Sequence, residues 1–401
     1  MTNISCFDRL SMNGKLKNDR NFIPFALSLS KGKRRLLGSF LVFLLGVLLV
    51  RLPVLAGAAE SAPVPKEWAE IVRAAEKEGQ VSIAGPPGDA FRAAITDGFQ
   101  KAFPKIKVEL LGGSGRDKVA RILRERQAGV YEWDLYISGP TSALAAFKPV
   151  NAFDPFRPLL ILPEVKEDRN WIGGLDAGWA DIDKKLYYTF AGSLASDNVH
   201  VNWDFVPKGE IKSAQDLLDP KWAGKIVMQD PRIEGKGLND ALVLSLAYGE
   251  GFIKRLLREQ KIVFTNDRRQ LVEWIVRGRY PIAMGLNEYF LTIFQEKGVG
   301  KNVTAVVDPK TAIYWSSGSS GIGFLNRAPH PNAAKVYVNW LFSRAAQTDW
   351  IKTETNSRRV DVPPFDANSA MKPGQSYRNT QGEDMLPYRR QIEQLAKEAI
   401  Q

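Results

Sequence analysis

Hydrophobic and polar positions along the first half of the chain alternate between two periods. Short apolar runs are separated by stretches in which the apolar positions recur every three or four residues, which is typical of strands alternating with amphipathic helices. The predicted strands are 81–84, 107–111 and 133–137, and the predicted helices are about 66–78, 89–102 and 116–128. This order and spacing predict βαβ units and a parallel sheet.

The second half continues the pattern with more strands. The predicted strands are 186–190, 198–202, 225–229, 261–264, 281–285, 303–307 and 321–325. From Ala333 the apolar positions follow helical spacing, after a turn that two prolines make rigid. Residues 361–382 are rich in Pro, Asn, Ser and Gly and predict a loop, and 383–400 predict a last, charged helix.

The N-terminal part predicts export. Basic residues at 31–35, an apolar run at 36–50 and small residues at 55–59 are the three parts of a secretory signal, with cleavage before Ala59. The alternative is an uncleaved membrane anchor, although the apolar run is shorter than the roughly 20 residues that a spanning helix needs. We expect a periplasmic or exported protein.

Charge and cysteine content narrow the function classes. The formal net charge is +11, but residues 1–58 carry nine Lys or Arg and two Asp or Glu, so they contribute +7 and leave +4. The excess therefore implies no nucleic-acid partner. Cys6 is the only cysteine and precedes the signal, which excludes disulfides and thiol catalysis in a mature chain. Neither a nucleophile elbow nor a phosphate-binding P-loop is present, and we expect no enzyme activity.

Two segments carry a family resemblance. Residues 319–347 read as a strand, a turn with Pro and Asn, and a helix ending near Ser343 and Gln347. This order resembles the late signature of the extracellular solute-binding proteins of bacterial ABC importers, in the ferric-iron and polyamine-like branch. Residues 213–231 resemble the linker helix, tryptophan turn and first second-lobe strand of the same family. The resemblance runs from about residue 66 to about residue 360.

The resemblance implies two discontinuous α/β lobes with mixed, mostly parallel sheets joined by two crossing strands, the type II periplasmic binding protein fold. The implied domains are an N-terminal extension with signal peptide, a first lobe in two parts, a second lobe, and a C-terminal loop and helix. Their bounds are 1–58, 59–197 with 305–360, 198–304, and 361–401. The implied function is the capture of a small solute by a monomer without a cofactor, and its delivery to an inner-membrane ABC permease.

Loops at the carboxyl ends of strands are the candidate ligand sites, because helix N–H groups are unpaired there. The candidate residues are Gly85, Gly88, Ser114, Gly115, Arg116, Ser138, Gly139 and Arg232. Glycines at 112–115 let a ligand approach the backbone, and Arg116 adds a fixed charge that favours an anion. The alternative for this loop is a glycine turn with a solvated arginine. Arg121 and Glu125 are expected to form an ion pair on the helix surface.

Glu288 and Tyr289 are the candidate metal ligands. In the resembled ferric-iron proteins two adjacent tyrosines stand at this place, since phenolate suits a hard cation. Here Glu288 replaces the first tyrosine, so a ferric ion, as transported ligand, and a small organic anion such as a phosphonate both remain open. Tyr289 could also line an organic-ligand pocket or pack in the core.

The other aromatic and histidine candidates are expected to be structural. Tyr187 and Tyr188 are neighbours on one strand and should point to opposite faces. His200 and His330 lie far apart without zinc-site spacing. The rival functions are a membrane-tethered ligand sensor and an enzyme on the same two-lobed fold.

Overall fold

The computed structural model describes residues 63–400. The predicted signal peptide, its cleavage site and Cys6 lie outside these residues. Within them the chain forms two mixed sheets, a short third sheet and the helices that cover them. The predicted α/β fold class is confirmed.

The first sheet has the order β2-β1-β3-β13-β4, with β5 also paired to β13. Its strands are β1 (Gln80–Gly85), β2 (Lys107–Gly112), β3 (Leu135–Ser138), β4 (Phe153–Asp154), β5 (Tyr187–Thr189) and β13 (Gly321–Leu325). Strands β2, β1 and β3 are parallel, as the βαβ pattern predicts, and β13 runs antiparallel to β3, β4 and β5. Parallel strands therefore make up only one half of this sheet.

The second sheet has the order β11-β7-β10-β8-β9. Its strands are β7 (Val199–Asn202), β8 (Ile226–Gln229), β9 (Val263–Thr265), β10 (Ile282–Met284) and β11 (Val303–Val306). Strands β10, β8 and β9 are parallel, while β7 is antiparallel to both β10 and β11. Because of this antiparallel pairing, β7 begins at the edge where β8 and β10 end.

The chain passes between the sheets in a third, three-stranded sheet of β6 (Ser193–Leu194), β12 (Tyr314–Ser316) and β14 (Arg378–Asn379). Along the chain, β6 comes between β5 of the first sheet and β7 of the second, and β12 comes between β11 of the second sheet and β13 of the first. Strands β6 and β12 pair antiparallel. The crossing strands are thus β6 and β12, whereas the sequence prediction placed the crossing in 186–190, 198–202 and 303–307. Those segments belong to the first and second sheets.

The helices surround the sheets. They are α1 (Lys66–Glu78), α2 (Asp89–Ala102), α3 (Gly115–Gln127), α4 (Pro140–Phe147), α5 (Pro163–Lys166), α6 (Lys236–Tyr248), α7 (Glu250–Glu259), α8 (Arg268–Val276), α9 (Glu288–Glu296), α10 (Pro331–Leu341), α11 (Arg344–Trp350) and α12 (Leu386–Ala399). Side-chain caps fix several starts: Ser114, Asp267 and Asn287 each accept a backbone N–H in the first turn of α3, α8 and α9.

The two segments that carry the resemblance differ in detail from the prediction. Ser343 does not end a helix: α10 stops at Leu341, and Ser343 caps the N-terminus of α11, with Gln347 inside α11. The predicted linker helix at the start of 213–231 is a 3₁₀ helix, Ala214–Leu218, opened by a capping box between Ser213 and Asp216. A serine-led segment fits a helix start as well as a helix end, and the sequence pattern did not distinguish them.

Separate hydrophobic cores support the two main sheets. The first lies under β1, β3 and β13 with α2 and α10, and includes a group of aromatic rings around Phe342 and Trp350. The second lies under β7, β8 and β10 with α6 and α7. Ile392 and Ala396 of α12 belong to this second core, so the C-terminal helix packs on the second sheet's helices. In residues 63–400 no helix is long and apolar enough to cross a membrane.

Candidate functional site

The carboxyl ends of the second sheet's parallel strands form a compact platform. Gly237, at the start of α6, approaches Gln229 so closely that a Cβ at 237 would lie 2.0 Å from the Gln229 carbonyl oxygen. Gly285 follows β10 with a φ of 72°, and its N–H donates to Asp240 at 2.9 Å. Glycine is needed at 237 because of the close contact, and it is favoured at 285 because the backbone there is left-handed. These glycines bring the loops after β8 and β10 together.

Five charged or titratable side chains converge at this platform, and we name them the second-sheet cluster: Asp197, His200, Lys236, Asp240 and Glu288. The Glu288 carboxylate lies 2.5 Å from His200 Nε2. The Lys236 ammonium lies 3.3 Å from Asp197 and 3.4 Å from Asp240. Asp240 is buried and also accepts from Asn198 at 3.1 Å.

Fold topology explains why residues so far apart in sequence meet here. His200 lies on β7 and Asp197 just before it, and β7 begins at the edge where β10 ends. Lys236 and Glu288 are the first residues of α6 and α9, the helices that follow β8 and β10. The antiparallel strand thus brings an imidazole and a carboxylate to an edge where two helices begin.

The charges in the cluster alter one another's pKa values. Burial lowers the pKa of His200, but the adjacent Glu288 carboxylate outweighs burial and raises it. Burial raises the pKa of Asp197, but Lys236 outweighs it and lowers that pKa. For Asp240 burial dominates, so its pKa rises to about 6 despite Lys236. The cluster therefore holds opposed charges at ordinary pH.

The cluster also has the donors of a metal site. One ligand atom each from Asp197, His200 and Glu288 lie within 4.8 Å of one another. Carboxylate oxygen and imidazole nitrogen bind iron, manganese and zinc. The His200 side chain is 1% exposed, and its Nδ1 has no hydrogen-bond partner among the described residues. His200 was predicted to be structural, and it lies among donors that could bind a metal.

The first sheet presents a different edge, rich in hydroxyls and helix N-termini. A Cβ at Gly115 would lie 3.0 Å from the Ser142 hydroxyl and 3.4 Å from the Ser138 hydroxyl, so the loops after β2 and β3 meet. Ser114 caps α3 and donates to Asp117. Arg116 is exposed and makes no ion pair within residues 63–400. The predicted loops at 112–116 and 138–142 are thus one surface, where an anion could bind.

A buried lysine lies next to this surface. Lys118 is 2% exposed and donates to the Ile137 carbonyl at 3.2 Å, with its ammonium 5.0 Å from the centre of the Tyr136 ring. It has no carboxylate partner in the described part of the chain. Burial lowers its pKa to about 7. The lysine therefore has little to stabilise its charged form.

The other predicted site residues have local roles. Gly85 is buried, and a Cβ there would lie 2.9 Å from Leu110, so packing explains this glycine. Gly88 precedes α2 with a φ of 108° and is exposed. Arg232 is engaged by Asp230 through contacts of 2.7–3.2 Å, which occupies its guanidinium. Gly139 lies against the backbone at Gly318, next to the third sheet.

The two candidate metal ligands from the sequence differ in environment. Glu288 contacts His200, as described. Tyr289 is 50% exposed, and its ring packs edge-on against Phe290 at 5.4 Å. Arg232, a further ligand candidate beside the second sheet, is held by Asp230. The sequence therefore identified one of the five members of the second-sheet cluster.

The remaining aromatic and polar predictions agree with the structure. Tyr187 and Tyr188 point to opposite faces, donating to the Ser138 and Leu175 carbonyls respectively. Arg121 and Glu125 form the expected surface pair at 2.6 Å. His330 binds the buried carboxylate of Asp134 through its backbone N–H and its ring, a structural contact.

Glu354 follows α11, and the carboxylates of Glu288 and Glu296 on α9 are near enough to affect its pKa. Burial raises the pKa of Glu354, and the charges of Glu288 and Glu296 on α9 raise it further. Residue 354 follows the first sheet's last helix, so an acidic group from that part of the chain faces the acidic side of α9. A cation would relieve this repulsion.

Comparison with known proteins finds a family match over part of the chain. Residues 175–353 match the model of the family "Bacterial extracellular solute-binding protein". Iron uptake protein A1 from Synechocystis sp. is 22% identical over 257 residues, which cover 60% of this chain and 65% of that relative.

Solved structures show the same fold. Iron-bound HitA from Pseudomonas aeruginosa aligns with a TM-score of 0.59 at 17% identity, over 80% of this chain and 99% of that one. The ferric binding protein from Campylobacter jejuni aligns with a TM-score of 0.61 at 15% identity, with the same coverage. The solved structures thus show the fold of the described residues, and the match to the solute-binding family model covers less than half of the chain.

Proposed function

We propose that the chain is the substrate-binding component of an ABC importer and that its transported solute is a ferric ion, as in the name of the Campylobacter jejuni protein. The observation that carries this proposal is the group of hard donors on Asp197, His200 and Glu288 at the edge where ligands bind in open α/β sheets. The names of the relatives support iron as the solute. No resident cofactor is part of the proposal.

Capture would use closure of the two sheets about the third sheet. Strands β6 and β12 are short, and they form the third sheet, in which the chain passes between the other two sheets. Hinge closure around a ligand changes a few residues in such connecting segments. The closed, loaded monomer would then be the form that an inner-membrane permease recognises.

A binding experiment tests this function. Purified mature protein is titrated with ferric citrate, and citrate alone, a small phosphonate and a polyamine serve as comparisons. A ligand at 100 times its Kd stabilises the folded state by about 2.7 kcal/mol, which a thermal melt detects. We expect stabilisation by ferric citrate and a smaller radius of gyration in X-ray scattering. If ferric citrate leaves both quantities unchanged, iron is not the solute.

A small organic anion is the second candidate solute, and the first-sheet edge favours it. The α3 N-terminus, the hydroxyls near Gly115 and the unpaired Arg116 form a surface that suits phosphonate oxygens. Arg116→Met should then weaken phosphonate binding. The matched control is Arg121→Met, which removes an arginine from the same helix that is already paired with Glu125. Equal effects of the two variants would reject this edge as the anion site.

The proposal is binding without chemical conversion. Mass spectrometry of the solute after incubation should recover it unchanged, and any product would favour an enzyme.

For the mature chain we propose a periplasmic or exported location, where an importer's binding component meets its solute. Mass measurement of the N-terminus should find Ala59 as the first residue. A retained segment at 36–55 would favour a tethered sensor.

A further inference from the structure

The last part of the chain contacts the third sheet and the elements that surround both main sheets. We name residues 369–399 the C-terminal strap. The strap adds β14 to the third sheet and then continues through a 3₁₀ helix, Glu383–Met385, directly into α12. The family match ends at residue 353, so the strap lies beyond the matched residues.

The strap holds both strands through which the chain passes between the main sheets. The N–H of Leu194 in β6 donates to the Ser369 carbonyl at 2.7 Å. Strand β14 pairs in parallel with β12, and the N–H of Thr380 donates to the Trp315 carbonyl at 2.9 Å. A change in the backbone of either crossing strand therefore acts on the strap.

Glu383 attaches the strap to the part of the chain around the first sheet. Its N–H donates to the Ala180 carbonyl at 2.8 Å, and its carboxylate accepts from the Ile182 N–H at 2.8 Å and from the Lys148 ammonium at 2.7 Å. Ala180 and Phe147, the neighbour of Lys148, belong to a core with side chains from β3, β4 and β13. The side chains of Glu383 and Lys148 are only 18% and 25% exposed, so water screens this pair less than a surface pair.

The other end of the strap is attached to the second sheet's helices. Arg389 donates to Glu234 at 2.7 Å and to the Asn239 side chain at 3.2 Å, and the buried Thr380 hydroxyl donates to the same Asn239 oxygen at 2.9 Å. Glu234 and Asn239 belong to the loop after β8 and to α6, next to the second-sheet cluster. Ile392 of α12 lies in the second core.

The two attachments are joined by a rigid element. Arg389 lies six positions after Glu383, and the residues between them are helical throughout. Six helical residues span about 9–10 Å and do not stretch. When one main sheet rotates against the other, the partners of Glu383 and of Arg389 move apart or together, so one set of contacts has to break. Helix α12 is packed in the second core, and the contacts of Glu383 are therefore the ones that yield.

We propose that the C-terminal strap restrains the hinge, and that Glu383 is a latch that holds the main sheets in the arrangement described here and opens when they move. Contacts that exist in one arrangement and not in others shift the equilibrium toward that arrangement. The inference deepens the proposed closure about the third sheet, and it does not depend on which solute binds.

Distances between two spin labels test the latch without any solute. The only cysteine of the chain, Cys6, precedes the mature protein, so two introduced cysteines are labelled specifically. Asp89→Cys and Arg268→Cys place labels on the exposed first residues of α2 and α8, which follow parallel strands of the first and the second sheet. Pulsed electron paramagnetic resonance then gives the distribution of distances between the two sheets.

Two variants remove the latch from opposite sides. Glu383→Ala removes the carboxylate, and Lys148→Met removes its cationic partner while the strap stays intact. The matched controls are Glu393→Ala, which breaks an exposed pair with Lys397 inside α12, and Asp183→Asn, which removes the more exposed partner of Lys148. Circular dichroism checks that each variant is folded.

We expect both latch variants to broaden the distance distribution. The ratio of molecules outside the parent's main distance peak to those within it should rise at least about fivefold, which is the lower end of typical coupling between two sites. Both control variants should give the parent's distribution.

The outcomes separate a latch from simple packing. If Glu383→Ala and Lys148→Met keep the parent's distances while their urea midpoints fall, the strap only stabilises the fold and the inference is wrong. Equal broadening in Glu393→Ala would also overturn it, because any change in α12 would then loosen the hinge. Titration with ferric citrate is independent of these results: a parent that does not bind it, with latch variants that broaden, keeps the strap and rejects iron as the solute.

Discussion

Lys118 offers a direct measurement of the cost of a buried charge in this fold. It is 2% exposed, lies between α3 and the first sheet, and has the Ile137 carbonyl and the Tyr136 ring as its polar contacts. Neither contact neutralises an ammonium. We predict that Lys118→Met, which keeps most of the side-chain volume, stabilises the protein near neutral pH.

The magnitude follows from the pKa. Burial lowers the pKa of Lys118 from 10.5 to about 7, and each pKa unit corresponds to 1.36 kcal/mol. Keeping the lysine in the folded protein therefore costs roughly 5 kcal/mol at pH 6 and roughly 2 kcal/mol at pH 9. Between about pH 7 and 10.5 the unfolded chain binds more protons at this site than the folded one. The parent's stability consequently rises with pH through this window, and the variant lacks that contribution.

Urea unfolding of both proteins at pH 6, 7.5 and 9 provides the measurement. The difference in free energy of unfolding between variant and parent cancels the groups common to both, and it should fall by about 3 kcal/mol from pH 6 to pH 9. Lys105→Met is the control, since Lys105 is exposed and pairs with Glu76 on the surface. A difference that is independent of pH, or a variant less stable than the parent at pH 6, would refute the reasoning.

Three further predictions concern the second-sheet cluster and the segment that packs on it. Glu288→Tyr should restore an adjacent tyrosine pair, so its iron(III) complex should gain visible phenolate absorption; a colourless complex that still binds iron would contradict this. Lys236→Met should bind divalent metal more tightly and melt at a lower temperature, because it removes a cation 3.3 Å from Asp197; unchanged metal affinity in titration calorimetry would place the metal elsewhere. Arg389 is 3% exposed and pairs at 2.7 Å with Glu234, whose side chain is 44% exposed. Arg389→Met should therefore cost about 2 kcal/mol of unfolding free energy in urea, and a loss equal to that of an exposed arginine such as Arg255 would contradict a structural role for the C-terminal helix.

Periodicity predicted the elements well because each depends on local sequence. Helix α2 and strand β13 begin and end where the pattern places them, at 89–102 and 321–325. The Tyr187–Tyr188 orientation also followed from strand geometry alone. Where the prediction was wrong, the competing signal was local as well: Ser343 caps the start of α11, and the same residue type also occurs where helices end.

The site was less predictable because its residues come together through strand pairing, which the local sequence pattern does not indicate. His200 is one polar residue in an apolar strand, and nothing in residues 198–202 shows that β7 runs antiparallel to β10 and begins at the edge where β10 ends. Asp197 reaches the cluster only because it precedes that strand. Lys236 lies in a glycine-rich segment, 234–237, that lacks the P-loop pattern, yet it opens α6 beside Asp240.

One signal in the sequence did point to the cluster. Glu288 departs from the tyrosine of the resembled iron-binding proteins, and the structure places its carboxylate on the imidazole of His200. A carboxylate in place of a phenolate needs further donors to hold a multivalent cation, and such donors must come from a neighbouring strand. Strand β7 supplies His200 and Asp197 within 4.8 Å of Glu288. We therefore interpret Glu288, His200 and Asp197 as parts of one arrangement. Comparing Glu288→Tyr in the parent with Glu288→Tyr in a chain that lacks His200 would separate their contributions.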